Sequence, residues 1–323
     1  MGCGLLRFAV PDLDAAEVLG NLASMVSMPL VADIHFDYKI ALRCLDFPIA
    51  KIRINPGNIG SKDKVEAVLS KAAACLRPIR IGVNAGSLPS DIRRRLDEGS
   101  LDSAEALVLA AERELAIFDQ YRFRDVLVSM KASSVADTIK ANRILSQRSD
   151  VPLHVGVTEA GPLIAGVVRN TAALMVLLGE GIGDTIRVSL SDSMENEVIA
   201  GREILMASSQ MALEGLSGKQ HKGIAHPGGV RLISCPRCGR SSFDTHDFTE
   251  RWQARFYSMD RNITVAVMGC AVNGPGEASN ADLGITGAGD KVLIFRKGKI
   301  VRTIDAAEAD AAFEEELRKI VNK

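Results

Sequence analysis

The sequence predicts an α/β protein: a (β/α) barrel of the TIM type, one strand short of the usual eight, followed by a small α+β domain. Two observations carry the barrel. From Leu5 to Ser189 short apolar runs alternate with helical patterns, the rhythm of βα units and hence of a parallel sheet. Every run also holds a charged or strongly polar residue, mostly near its C-terminal end. Parallel strands are normally apolar throughout, but a barrel gathers its site at the C-terminal ends of all its strands. An open doubly wound sheet would concentrate polar groups at one switch point instead. A third observation marks the second domain. Near Ser208 the periodicity dissolves into Gly, Ser, Lys and His, and a cysteine-bearing segment of different pattern comes after it. The expected boundaries are 1–207 for the barrel, 208–229 for a linker or long loop and 230–323 for the small domain.

The strand candidates are Leu5–Val10, Leu30–His35, Lys51–Asn55, Ile79–Asn84, Val126–Lys131, Leu153–Glu159 and Thr185–Ser189. The long step between the fourth and fifth contains an amphipathic helix. Ala104, Leu107, Val108, Ala111, Leu115 and Phe118 follow the i, i+3, i+4 spacing, with Ser103 as its N-cap. Ser133 or Ser134 caps a second helix around Ala136–Leu145. Seven runs fall one short of a closed barrel. The first begins so near Met1 that an opening strand and helix are expected upstream of it.

Composition excludes several classes. The chain has 39 Lys+Arg against 40 Asp+Glu, a net charge of −1, so bulk charge does not point to nucleic acid. Hydrophobic residues at 47% and charged residues at 24% are globular values. No apolar run approaches the roughly 20 residues of a membrane span. Met1-Gly2-Cys3-Gly4 has neither the basic nor the apolar part of a signal peptide. A soluble, cytoplasmic chain with no membrane partner is expected.

Alternation puts Asp33 with His35, Arg53 with Asn55, Arg80 with Asn84, Ser129 with Lys131 and Arg187 with Ser189 on shared faces. Arg7, Arg53, Arg80, Lys131 and Arg187 would then converge, with Asp33 and Glu159 the only carboxylates expected among them. Arginine matches phosphate bidentately, and so many cations need an anion to hold. The expected ligand is a polyanion, a diphosphate best of all.

In the C-terminal segment strands are expected near Arg231–Ser234, Thr264–Met268, Val292–Phe295 and Lys299–Thr303, and helices around Asp247–Met259 and Ala306–Val321. His221 and His226, in the preceding loop, read as solvated. Of the six cysteines, Cys44 and Cys75 lie among apolar neighbours and read as inert core thiols. Cys235 and Cys238 form a C-x-x-C knuckle, but the second knuckle of a zinc ribbon is missing. In its place the chain has Gly269–Glu277, with Cys270 and, in a glycine-rich stretch, Glu277. Three thiolates are one short of a Cys₄ iron–sulfur site, and Glu277 is the candidate fourth ligand. Zinc on the same set, or a thioredoxin-like redox pair, fits the spacing too.

Six motifs, in order, closely resemble the 4-hydroxy-3-methylbut-2-enyl diphosphate synthase family: Asp33–Asp37, Arg53–Gly60, Arg80–Ser87, Thr158–Gly161, Gly181–Ser189 and Gly269–Glu277. The resemblance runs from Met1 to about Arg302. It implies an oxidoreductase of the methylerythritol phosphate route to isoprenoids. Such an enzyme opens 2-C-methyl-D-erythritol 2,4-cyclodiphosphate reductively and removes a hydroxyl, taking two electrons through a [4Fe–4S] cluster. Carried over by motif, the resemblance implies Cys235, Cys238, Cys270 and Glu277 as cluster ligands. It implies Arg7, Arg53, Asn55, Arg80, Asn84, Lys131, Arg187 and Ser189 around the diphosphate. Asp33, His35 and Glu159 fall against the carbon skeleton and hydroxyls, with Glu159 and Glu277 as the catalytic pair. It further implies reduced flavodoxin or ferredoxin as donor and a homodimer in which each small domain caps the partner's barrel. Residue chemistry alone leaves other readings open. They are a barrel lyase on a phosphorylated substrate (metal-dependent, or forming a Schiff base through Lys131), a redox or iron sensor, and a shortened, inactive relative.

Overall fold

In the computed structural model βα units build the first part of the chain, as the spacing predicts. The structure describes residues 1–216, 228–236, 238–271 and 274–322; His221 and His226 lie outside these. The chain divides into two compact units, Cys3–His226 and, with its first two residues, Pro227–Lys323. The elements of the first are β1 (Leu6–Ala9), α1 (Leu13–Met25), β2 (Leu30–Asp33), α2 (Tyr38–Cys44), β3 (Lys51–Ile54), α3 (Pro56–Ile59) and α4 (Lys62–Ala74). After these come β4 (Ile79–Asn84), α5 (Ser90–Asp97), α6 (Ser103–Gln120), β5 (Val126–Lys131), α7 (Val135–Arg148), β6 (His154–Val155), α8 (Leu163–Gly179), β7 (Thr185–Ile186) and α9 (Met194–Leu213).

All seven strands run parallel in sequence order, β1 to β5 in one sheet and β6 with β7 in a second. A single bridge, Val128 to Leu153, joins the two. Among the described residues β1 pairs only with β2 and β7 only with β6. The edge position shows in burial: β2 and β3 are buried throughout, whereas Arg7, Phe8 and Ala9 of β1 are exposed. Ile52, Ile54, Ile79, Ile81 and Val128 form the sheet's contribution to a core that α1, α4, α6 and α8 close from outside. Cys44 belongs to that core, and burial pushes its thiol up to about 11; Cys75 is only half-buried.

Local chemistry explains the helix ends. α6 starts one residue earlier than expected, because Asp102 rather than Ser103 is its N-cap. The Asp102 side chain accepts from Glu105 N, and the Glu105 side chain accepts from Asp102 N, a reciprocal capping box. Ser134 caps α7. At the other end α9 runs past Ser208 to Leu213, into the stretch expected to be linker. Ser208 and Ser209 are buried on this helix, so small hydroxyl residues that read as loop are part of its packed face.

The second unit contains β8 (Val230–Ser234), α10 (Thr245–Ser258), β9 (Ile263–Met268), α11 (Gly274–Glu277), β10 (Leu283–Ala288), β11 (Lys291–Arg296), β12 (Lys299–Asp305) and α12 (Ala309–Val321). β8, β9 and β10 are parallel, and β10, β11 and β12 form an antiparallel meander. β10 was not expected from the sequence. Its glycines hide the strand pattern but are required, since a Cβ at Gly284 would run into the Phe295 ring. Phe248, Trp252 and Phe256 of α10 pack with Phe313 of α12 over the sheet; the Phe248 and Phe313 rings meet edge-on at 5.2 Å.

Candidate active site

Strand register assembles the charged layer. Asp33 of β2 pairs with Arg53 of β3, Arg53 with Arg80 of β4, and Asn84 of β4 with Lys131 of β5. Asp33 is buried and lies against three neighbours, two of them arginines. Its Oδ1 accepts from Arg53 Nη1 at 3.1 Å, and Arg7 Nε and His35 Nε2 lie 3.6 and 3.7 Å from the carboxylate. Arg53 Nη1 is also 3.2 Å from His35 Nδ1. Since an arginine can only donate, that contact leaves the His35 proton on Nε2, facing Asp33. Arg53 Nη2 donates to Gly82 O at 2.9 Å, and Asn55 Oδ1 accepts from Gly82 N at 3.0 Å. One glycine of β4 thus holds two side chains of the β3 end, and a Cβ there would collide with the guanidinium.

Arg80 and Lys131 have no such counter-ion. Each is 5% exposed, and among the described residues neither side chain makes a hydrogen bond or ion pair. Burial, then repulsion from Arg7 and Arg53, holds the Arg80 guanidinium down to about 9. Burial, followed by Arg80 and Arg187, holds Lys131 well below the ordinary lysine range. Lys51, buried at the start of β3, is lowered by its burial and then by Arg80. Desolvating cations without anions is strongly unfavourable. The strand ends are therefore arranged for an anion of more than one charge.

Three residues that sequence reasoning missed complete this end of the barrel. Glu197, in the first turn of α9, lies with its Oε1 3.4 Å from Arg187 Nη2 and accepts from Leu190 N at 2.8 Å. It corrects the expectation that Asp33 and Glu159 are the only carboxylates here, because Arg7 and Lys131 also feel its charge. His154 of β6 has Nδ1 2.9 Å from Thr185 Oγ1 of β7. Burial, then Lys131, Arg80, Lys51 and Arg7, holds it well below the ordinary histidine range, so the ring is neutral at neutral pH. Asn170 of α8 is fully buried. Its Oδ1 accepts from Val157 N at 3.2 Å, and its Nδ2 donates to Gly166 O at 2.9 Å and to Ser189 O at 3.2 Å. It thereby ties the loop after β6 to the Ser189 backbone. Glu159 stands on that loop, exposed, with a left-handed backbone at φ 53°. A non-glycine residue pays strain there unless its surroundings impose it. Arg169 Nη1 braces the turn by donating to Ala160 O at 2.8 Å.

In the second unit the cysteines lie just beyond the C-terminal ends of two adjacent parallel strands, β8 and β9. Cys235 N donates to Val267 O at 2.9 Å, and Thr245 Oγ1 donates to Cys235 O at the same distance. Ser241 N donates to Cys238 O at 3.0 Å, Ser242 N to Gly269 O at 2.9 Å and Gly274 N to Cys270 O at 3.0 Å. Backbone bonds thus lace the two cysteine segments together. Gly274 is required, since a Cβ would come within 2.7 Å of Thr286 Oγ1. All three thiols are free; Cys270 is buried, Cys235 half-buried and Cys238 exposed, and Glu277 is exposed on α11. Among the described residues no three His, Cys, Asp or Glu side chains converge as a metal-holding group. The fit to a cluster lies in the donors, three soft thiols that follow neighbouring strands and one carboxylate on α11.

The first unit is a (β/α) barrel with two buried cations, Arg80 early in β4 and Lys131 at the end of β5, that lack a counter-ion among the described residues. The family is shown by two matches that cover most of the sequence. The GcpE TIM-barrel domain matches residues 1–202 and the GcpE protein C-terminal domain matches residues 231–319. The chain belongs to the GcpE family. A relative from Treponema pallidum is 52% identical over 99% of this chain and 80% of its own length. One from Thermodesulfovibrio yellowstonii is 45% identical over 98% of this chain and 86% of its own. One from Geobacter sulfurreducens is 43% identical over 99% and 86%. All three are named 4-hydroxy-3-methylbut-2-en-1-yl diphosphate synthase (flavodoxin). No helix of the described residues is long and apolar enough to cross a membrane.

Proposed function

We propose that the chain reduces 2-C-methyl-D-erythritol 2,4-cyclodiphosphate to 4-hydroxy-3-methylbut-2-enyl diphosphate. Two electrons break the bond from ring carbon to phosphate oxygen and expel a hydroxyl as water. The observation that carries this reading is the pair of buried cations, Arg80 and Lys131, left without an anion. The diphosphate supplies that anion, with Arg7, Arg53 and Arg187 at its rim and Asn55, Asn84 and Ser189 as hydrogen-bonding partners. Asp33 stays beneath Arg53 as a fixed counter-ion and orients His35 toward the substrate's hydroxyls. As negative charge builds on the departing phosphate oxygen, preorganised guanidinium groups stabilise it without rearranging. Glu159, held in a strained and exposed position, is the group to hold or pass the proton that leaves with the hydroxyl.

Cys235, Cys238 and Cys270 would hold a [4Fe–4S] cluster, with Glu277 as the hard and exchangeable fourth donor. Such a cluster supplies one-electron steps at low potential beside a Lewis-acidic iron. Reduced flavodoxin, the donor in the relatives' names, or a ferredoxin would deliver the electrons. The resemblance supports a homodimer whose small domains each cap the partner's barrel. Anaerobic isolation tests the cofactor: about four irons per chain and the broad absorbance of thiolate-bound iron are expected. A colourless chain with stoichiometric zinc overturns it.

A further inference from the structure

Glu114 is a buried acid that the proposed reaction leaves unused. It lies on the core-facing stripe of α6, between Ala111 and Phe118, at 8% exposure, and burial raises its pKa. Among the described residues its carboxylate has one hydrogen-bond partner: Gly57 N donates to Oε2 at 3.0 Å. Gly57 is the second residue of α3, the single turn just beyond Arg53 and Asn55. Pro56, at the first position, has no N–H, so the Gly57 N–H is the first donor this turn presents. Asn55 occupies the N-cap position, where an asparagine side chain ordinarily accepts such a bond. Here it makes no capping bond. Its Oδ1 reaches across to Gly82 N instead, beside the Arg53 guanidinium that bonds Gly82 O. The two acceptors have exchanged duties. A carboxylate from α6 caps the turn, and the asparagine is released to the strand ends. The seat is tight, since a Cβ on Gly57 would lie 2.7 Å from Glu114 Oε1.

We propose that Glu114 is a positioning residue for the polyanion site: by accepting from Gly57 N it keeps Asn55 off its own helix and beside Arg53. The inference rests on the reading of the barrel's strand ends as a polyanion site. Without Glu114 the Gly57 N–H is unmet, and the Asn55 oxygen is the acceptor next to it in the chain.

Calorimetric titration of the full chain with inorganic pyrophosphate tests this. Glu114→Ala is expected to weaken binding about tenfold, the scale of one misplaced hydrogen-bonding group. Glu114→Gln, whose amide oxygen still accepts from Gly57 N, should recover affinity to within about threefold of wild type. Asn55→Ala should lose a similar factor to Glu114→Ala, and the double variant no more than Asn55→Ala alone, because both act through one side chain. Glu114→Met, which keeps the volume without the acceptor, answers the same question if Glu114→Ala does not fold. Wild-type affinity in the alanine or methionine variant, or additive losses in the double variant, overturns the inference alone. A wild-type chain that does not bind pyrophosphate overturns the polyanion reading and this inference with it.

Discussion

Replacing Asp33 by asparagine keeps the side chain's shape and removes the buried charge against which Arg7, Arg53 and His35 lie. The Arg53 and Asp33 side chains are 6% and 8% exposed, so water screens the pair very little. Removing one partner of a buried ion pair costs about 3–5 kcal/mol, because the other charge stays behind unpaired. Arg53 keeps its bond to Gly82 O and the asparagine keeps one oxygen, so the lower end, about 3 kcal/mol, applies. At about 2–4 °C per kcal/mol for a unit of this size, the barrel's melting transition should fall by about 6–12 °C. Pyrophosphate would replace the missing negative charge. The rise in Tm at saturating pyrophosphate should therefore be larger in the variant than in the wild type. Circular dichroism melts with and without pyrophosphate measure both quantities. A variant that melts with the wild type, or gains no more from pyrophosphate, would refute the reasoning.

The same contacts lead to other outcomes. Burial holds Lys131, His154 and Arg80 below their ordinary ranges, helped by neighbouring cations: Arg80 acts on Lys131, Lys131 and Arg80 on His154, and Arg7 and Arg53 on Arg80. An incoming anion raises all three, so binding takes up protons and affinity falls as pH rises. Titration with sulfate, which does not itself titrate, in buffers of different ionisation heat at pH 8 should register uptake; release or no exchange contradicts it. In the second unit Cys270→Ser should abolish iron incorporation, whereas Glu277→Gln should retain iron but shift its potential and slow turnover. Total loss of iron from Glu277→Gln would make the carboxylate indispensable rather than exchangeable. If each small domain caps the partner's barrel as proposed, mixing Arg187→Ala and Cys270→Ser chains should restore activity through one intact site; no recovery after confirmed subunit exchange would show that each chain works alone.

The barrel was readable because charged residues inside apolar strand runs are an anomaly with few explanations. Arg53, Arg80 and Lys131 stand out against Ile52, Ile54, Ile81 and Met130; register then sets Arg53 beside Arg80 and Lys131 beside Asn84. Glu197, His154 and Asn170 were not readable for a different reason. Glu197 and Asn170 sit on helices, and only tertiary packing shows which helical residue reaches over the strand ends. His154 falls in a run read as Leu153–Glu159, where alternation puts it on the face opposite Glu159, but the strand ends at Val155. β10 escaped notice because Gly284 and Gly287 make room for Phe295 and Phe243 rather than for their own side chains. Ser208 and Ser209 show the converse, since residues with a loop-like composition are buried on a helix. Thiol spacing singles out Cys235, Cys238 and Cys270 as candidate ligands but leaves zinc and a redox pair open, and it carries no information on whether the side chains converge.

The most direct test is phosphorus NMR of the iron-loaded chain, under anaerobic conditions, with reduced flavodoxin and 2-C-methyl-D-erythritol 2,4-cyclodiphosphate. The expected result is loss of the two ring-phosphate resonances at a rate that depends on flavodoxin. An open-chain diphosphate should replace them, one oxygen lighter than the substrate by mass. A substrate that persists beside an iron-loaded chain and a reduced donor, or that opens without losing its hydroxyl, would contradict the proposed reaction.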